Sequence, residues 1–187
     1  MEPRAFSWAP SGISRYFYMF TIRKILLGLS TMFVLAGAQA AEGDIVRYSA
    51  ANSSVPVAAA VEVPASASLV YLSGKLPPLQ DATQPHDSPL AYGGDTKGQT
   101  IAVLKAIEKS LVDLGLALGD VVKMQVFLVG DPAQGNKMDV SGFMAGYAHF
   151  FGTPKQPNLP ARTLLQIAGL PNSAFLVEID VIAARRE

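Results

Sequence analysis

Hydrophobic and polar positions along this chain fall into blocks of different period. Val57, Ala59, Val61 and Val63 alternate with Ala58, Ala60 and Glu62, a weak edge-strand pattern. Leu69-Val70-Tyr71-Leu72 is a short β-prone run, and Ser73-Gly74 after it reads as its end. Residues 75–99, with Pro77-Pro78, Pro85, Pro89 and Gly93-Gly94, read as one long loop, either a lid over a pocket or exposed slack. Ile101, Leu104, Ile107, Leu111 and Leu114 recur at helical spacing, and Gly115 follows as a stop. The run from Val121 to Val129 alternates and is β-branched, so it predicts a strand. A second amphipathic helix is expected from Asp139, its N-cap, to Phe151, with Phe143, Tyr147, Phe150 and Phe151 near one side. Arg162–Ala168 and Phe175–Ala183 read as two closing strands.

The resulting order, β-β-α-β-α-β-β, predicts an α+β layer: a mixed sheet with two helices on one face. Along the last strand Val177, Ile179 and Val181 point one way, and Glu178, Asp180 and Ile182 the other. One chain offers no cover for the second sheet face, so an oligomer is the economical expectation.

The N-terminal block has a different character. Arg23-Lys24 precedes about 14 uncharged residues from Ile25 to Ala38, and Ala38-Gln39-Ala40 supplies small residues at signal-peptidase spacing. Residues 1–40 therefore read as a secretory signal peptide cleaved after Ala40, with Met19 giving a more ordinary leader length than Met1. The apolar run is short of the roughly 20 residues of a membrane span, so no stable membrane anchor is expected. Residues 41–55 are small and polar and read as a linker or loosely tied arm, leaving 56–187 as the folded domain.

Composition narrows the function classes. The chain carries 15 basic and 15 acidic side chains, and removing the leader leaves 11 basic against 14 acidic. That balance gives no electrostatic footprint for nucleic acid. With no cysteine there is no disulfide, no thiolate nucleophile and no Cys-ligated metal. His86 and His149 are the only histidines, too few for a zinc-type cluster. A cysteine-free exported domain suits the bacterial periplasm.

The densest motif is Leu159-Pro160-Ala161-Arg162-Thr163-Leu164-Leu165-Gln166-Ile167-Ala168-Gly169-Leu170-Pro171, followed by Leu176-Val177-Glu178-Ile179-Asp180-Val181-Ile182-Ala183. With Ser73-Gly74-Lys75-Leu76-Pro77, Gly119-Asp120-Val121-Val122-Lys123 and Tyr147-Ala148-His149-Phe150-Phe151-Gly152, it resembles the RidA/YjgF family of reactive-intermediate deaminases from about Val57 onward. The resemblance implies a chorismate-mutase-like fold, a homotrimer with pockets in the clefts between subunits, and no metal or organic cofactor. It also implies hydrolysis of enamine and imine intermediates to 2-keto acids and ammonia.

Residue by residue, Arg162 matches the family's carboxylate-binding arginine, and a guanidinium fork suits that task. Glu178 matches an acidic position able to orient or deprotonate water. Ser73 and Gly74 match the small pair lining the cleft, and Leu164 stands where many members have cysteine. Met144 falls where asparagine is common, and Val55-Pro56-Val57 replaces a Gly-Pro-Tyr stretch. The expected catalytic pair is Arg162 and Glu178, with Arg162, Ser73, Gly74 and Leu164 binding a small imino or keto acid.

Each of these residues also has a plain structural reading: a surface arginine, a solvated glutamate, a strand-ending turn. His149 reads as a structural histidine, His86 as solvated, and the helix aromatics as core. Three functions follow: a periplasmic imine deaminase, a trimer that binds carboxylic acids without turnover, and the ribonuclease attached to some relatives. Export, acidic balance and the lack of a suitable histidine pair oppose the last.

Overall fold

A computed structural model describes residues 43–49 and 55–186; the signal peptide expected at 1–40 lies outside them. Six strands form one mixed sheet in the order β1-β2-β5-β4-β6-β3. They are β1 (Val46–Ser49), β2 (Ala58–Glu62), β3 (Ser68–Lys75), β4 (Val121–Val129), β5 (Ala161–Ile167) and β6 (Val177–Arg185). The helices are α1 (Thr96–Asp113), between β3 and β4, and α2 (Val140–Tyr147), between β4 and β5. β5 runs parallel to β4 and β2, whereas β6 is antiparallel to both β4 and β3. The α+β class holds, with one strand more than expected.

That strand lies inside the stretch read as a linker. Val46 to Ser49 pairs antiparallel with Glu62 to Ala58. The segment is tied down by Arg47, whose guanidinium donates to the carbonyls of Val121 (3.0 Å), Leu159 (2.8 Å) and Gly119 (2.8 Å). A polar four-residue strand has too little apolar alternation to be read, but three charge-assisted bonds hold it.

The long-loop reading is corrected in the same way. Pro89–Tyr92 is a single 3₁₀ turn capped by Ser88, and Asp95 accepts from Gly98 N–H (2.7 Å) to start α1 five residues earlier than its apolar stripe. Ala91 and Tyr92 are buried against Ala174 and Phe175. Asn172 also donates to the His86 carbonyl (2.8 Å), so this segment is packed and not slack. Gln99, fully buried, donates to Ala174 O and accepts from Leu176 N–H, fixing the approach to β6. The helix ends as expected: Gly115 adopts φ +72°, and Leu116 and Gly115 donate to Leu111 O and Val112 O. The second helix begins at its Asp139 cap but stops at Tyr147, four residues short of Phe151. Phe150 and Phe151 keep the helical spacing because a following turn packs them on the core.

Leu104, Ile107 and Leu111 of α1 and Phe143 and Tyr147 of α2 meet Met124, Val126 and Leu128 of β4 and Val177, Ile179 and Val181 of β6 in one core. The opposite sheet face presents Tyr71 at 70% exposure, Leu69 at 45% and Leu165 at 44%. The helices therefore cover one face only.

Candidate active site

Strand alternation and register decide which face each candidate residue joins. In the β4–β5 pair Met124 lies beside Arg162 and Val126 beside Leu164. Met124 and Val126 are core residues, so Arg162 and Leu164 project toward the helices. In the β4–β6 pair Glu178 lies beside Phe127 and Asp180 beside Gln125, positions that alternate with the core. Glu178 and Asp180 therefore project from the uncovered face. The structure separates the expected pair: Arg162 with Leu164 on one side of the sheet, Glu178 on the other.

On the helix side, the Arg162 guanidinium carbon stands 4.5 Å from the Tyr147 ring centroid and 5.0 Å from that of Phe143. Its Nη2 contacts Met144 Sδ at 3.3 Å. Among the described residues Nη1 is buried with no hydrogen-bond partner, and no carboxylate pairs with the side chain. Burial lowers its proton affinity, and the neighbouring Tyr147 acts in the opposite sense. The Tyr147 hydroxyl is likewise buried without a partner among the described residues. Burial pushes the phenol up to about 12, against the pull of Arg162 and Arg47. This arginine is not an ordinary surface side chain.

Ser73 and Gly74 join the Glu178 side. They do not end β3, which continues to Lys75; instead the register with β6 shifts between Leu72 and Lys75. At this irregularity Gly74 leaves open the space a Cβ would fill, and the carboxylates of Glu178 and Asp180 occupy it. Burial raises the proton affinity of both acids, and Asp180 adds to the rise at Glu178. One Asp180 oxygen is buried without a partner among the described residues. The acids thus sit close together, partly desolvated, beneath a glycine.

The strand alternation puts Asp180 on the same face as Glu178, but the motif alone gives it no role in the site. Helical spacing marks Phe143 and Tyr147 as core alone; they are core and also the support of Arg162. His149 is exposed in the turn after α2, and His86 Nδ1 lies 3.4 Å from Tyr92 Oη.

Residues 50–185 match the family described as Endoribonuclease L-PSP. The chain belongs to this family, the RidA/YjgF family. A RutC family protein of Pyrococcus horikoshii is 37% identical over 92 residues, 48% of this chain. That match spans 63% of the relative, under two thirds of its length. Escherichia coli TdcF, whose name proposes a reactive intermediate deaminase, is 32% identical over 118 residues, 63% of this chain and 80% of the relative. A solved structure of E. coli TdcF with bound serine is 28% identical, covers 70% of this chain and 92% of TdcF, and has a TM-score of 0.50. A Rid family protein, YyfB of Yersinia pestis, shares the fold at 21% identity and TM-score 0.54, covering 75% of this chain and 96% of YyfB.

Proposed function

We propose that this protein hydrolyses reactive imines and enamines of amino-acid origin to 2-keto acids and ammonia, in clefts between copies of the chain assembled as a homotrimer. The observation that carries the reading is the division of the site between the two sheet faces. Within one protomer Arg162 and Glu178 cannot face a common ligand, but an uncovered face of one copy set against the helix-side edge of another brings the halves together. The exposed Leu69, Tyr71 and Leu165 give such packing an apolar driving force.

In that cleft the Arg162 fork holds the substrate carboxylate through two N–H donors. Water adds to the imine carbon, forming a C–O bond. Glu178 takes one proton from that water and passes it to nitrogen, giving a carbinolamine; it then takes the remaining hydroxyl proton and passes that to nitrogen as C=O forms and the C–N bond breaks, releasing ammonia. A carboxylate whose proton affinity is raised by burial and by Asp180 suits this relay. Imines already hydrolyse readily in water, so positioning supplies most of the catalysis. The serine in the TdcF structure supports a small amino-acid-like carboxylate as the ligand class.

Purified protein should accelerate keto-acid release from imines generated in situ, and Arg162→Ala should abolish the acceleration. Light scattering should give about three times the protomer mass. Absence of acceleration across short and branched substrates would refute the enzyme reading.

One observation favours the alternative, a periplasmic trimer that binds carboxylic acids without turnover. Leu164 and Met144 make the surroundings of Arg162 apolar where relatives commonly carry cysteine and asparagine. Retained Arg162-dependent binding without turnover would select it. We also propose export to the periplasm, supported by the leader motif; mass spectrometry of the exported form should show Ala41 first, and an uncleaved chain would refute it.

A further inference from the structure

Among the described residues no acid is paired with Arg162. A partly buried guanidinium is usually paired with a carboxylate, which takes up its in-plane N–H donors. Here its partners are two ring faces and a thioether: Tyr147 at 4.5 Å, Phe143 at 5.0 Å and Met144 Sδ at 3.3 Å from Nη2. A ring face attracts the cation across its plane and consumes none of those donors. The rings are themselves fixed. Phe143, Tyr147 and Phe151 lie on successive turns of the chain, with centroids 5.7 Å apart in the first pair and 4.8 Å in the second, which is stacked within 9°. All three are essentially inaccessible, so this ladder is a rigid wall.

We infer that Tyr147, assisted by Phe143, is the positioning residue for Arg162, fixing the guanidinium plane while leaving its charge unpaired and its Nη1 donors open to an anionic ligand. The inference rests on the carboxylate-clamp reading for its consequence, but its geometry stands independently. The element that matters is the ring face and not the hydroxyl, which has no partner among the described residues.

The test combines side-chain ¹H–¹⁵N spectra of arginine with calorimetric titration by pyruvate and by pyruvamide, its uncharged counterpart. It uses the intact protein, Tyr147→Phe and Tyr147→Leu, with Arg162→Lys to assign the signal. The Arg162 signal should be displaced by ring currents in the unmutated protein and in Tyr147→Phe, and should revert toward the free-arginine position in Tyr147→Leu. Pyruvate affinity should stay within about twofold in Tyr147→Phe and fall about tenfold in Tyr147→Leu, with pyruvamide unmoved. Should Tyr147→Leu fail to fold, Phe143→Leu is read in the same way. An Arg162 signal unmoved by either substitution overturns the inference. So does unchanged pyruvate binding in Tyr147→Leu, or an equal loss of pyruvate and pyruvamide. If pyruvate binds none of the proteins while the Arg162 signal moves as stated, the platform stands and the carboxylate-clamp reading falls.

Discussion

Arg162 and Glu178 leave the sheet on opposite faces of one protomer. The register fixes this: Arg162 pairs with the core residue Met124 through β5, and Glu178 pairs with the outward Phe127 through β6. Two residues expected to share a substrate are thus kept apart within the chain. In the proposed reaction a site that uses both would draw them from two copies, so assembly becomes a condition of that chemistry.

The N-terminal arm should contribute stability through Arg47. Its guanidinium satisfies three carbonyls, and charged hydrogen bonds contribute about 1.5–3 kcal/mol each before losses are shared. Arg47→Ala should cost about 3 kcal/mol in urea unfolding. Arg47→Lys should recover only part of that, because an ammonium lacks the planar fork. Equal stability of Arg47→Ala and the unmutated protein would show that the arm is not anchored there.

Tyr147 gives a pH signature at the alkaline end. Its folded-state value is raised from 10.0 to about 12, so the folded protein keeps a proton that the unfolded chain releases. The associated stability is fully present below pH 10.0 and is lost as pH rises toward about 12. Tyr147→Phe should flatten this alkaline decline. At neutral pH it should change stability by less than about 1 kcal/mol, since the hydroxyl removed has no partner among the described residues. An alkaline unfolding curve identical in both proteins would contradict the burial argument.

The Glu178–Asp180 pair should act at the acid end. Both carboxyls hold their protons more tightly in the folded protein than at the ordinary values of 4.5 and 3.8. Stability from this pair is therefore complete below those values and declines as pH rises through the raised ones. Asp180→Asn removes the like charge beside Glu178. It should reduce that decline and move the acid limb of the pH–rate profile to lower pH. An unmoved acid limb in Asp180→Asn would separate Asp180 from the site.

Much of this architecture could be read from periodicity, because α1, β4 and β6 bury one clear side. What escaped was held by polar bonds: Arg47 ties β1, and Asp95 starts α1 through Thr96 to Thr100, which carry no apolar stripe. Ser73-Gly74 looked like a strand end because a bulge and a turn use the same residues. The motifs named Arg162, Glu178, Ser73 and Gly74, but the division of the site between two faces depends on strand pairing that no single segment encodes. Tyr147 and Arg162 lie far apart along the chain, so their ring-to-cation contact was invisible to local pattern.

The most direct test of the shared site is complementation between two inactive variants. Arg162→Ala and Glu178→Gln proteins should each be inactive in imine hydrolysis while remaining folded and assembled. When the two are unfolded together in equal amounts and refolded, clefts that receive Arg162 from one copy and Glu178 from the next should reappear. Random assembly of a cyclic trimer makes about a quarter of the clefts complete, so about a quarter of the original activity should return. No recovery in mixed trimers whose composition is verified by mass spectrometry would contradict the account.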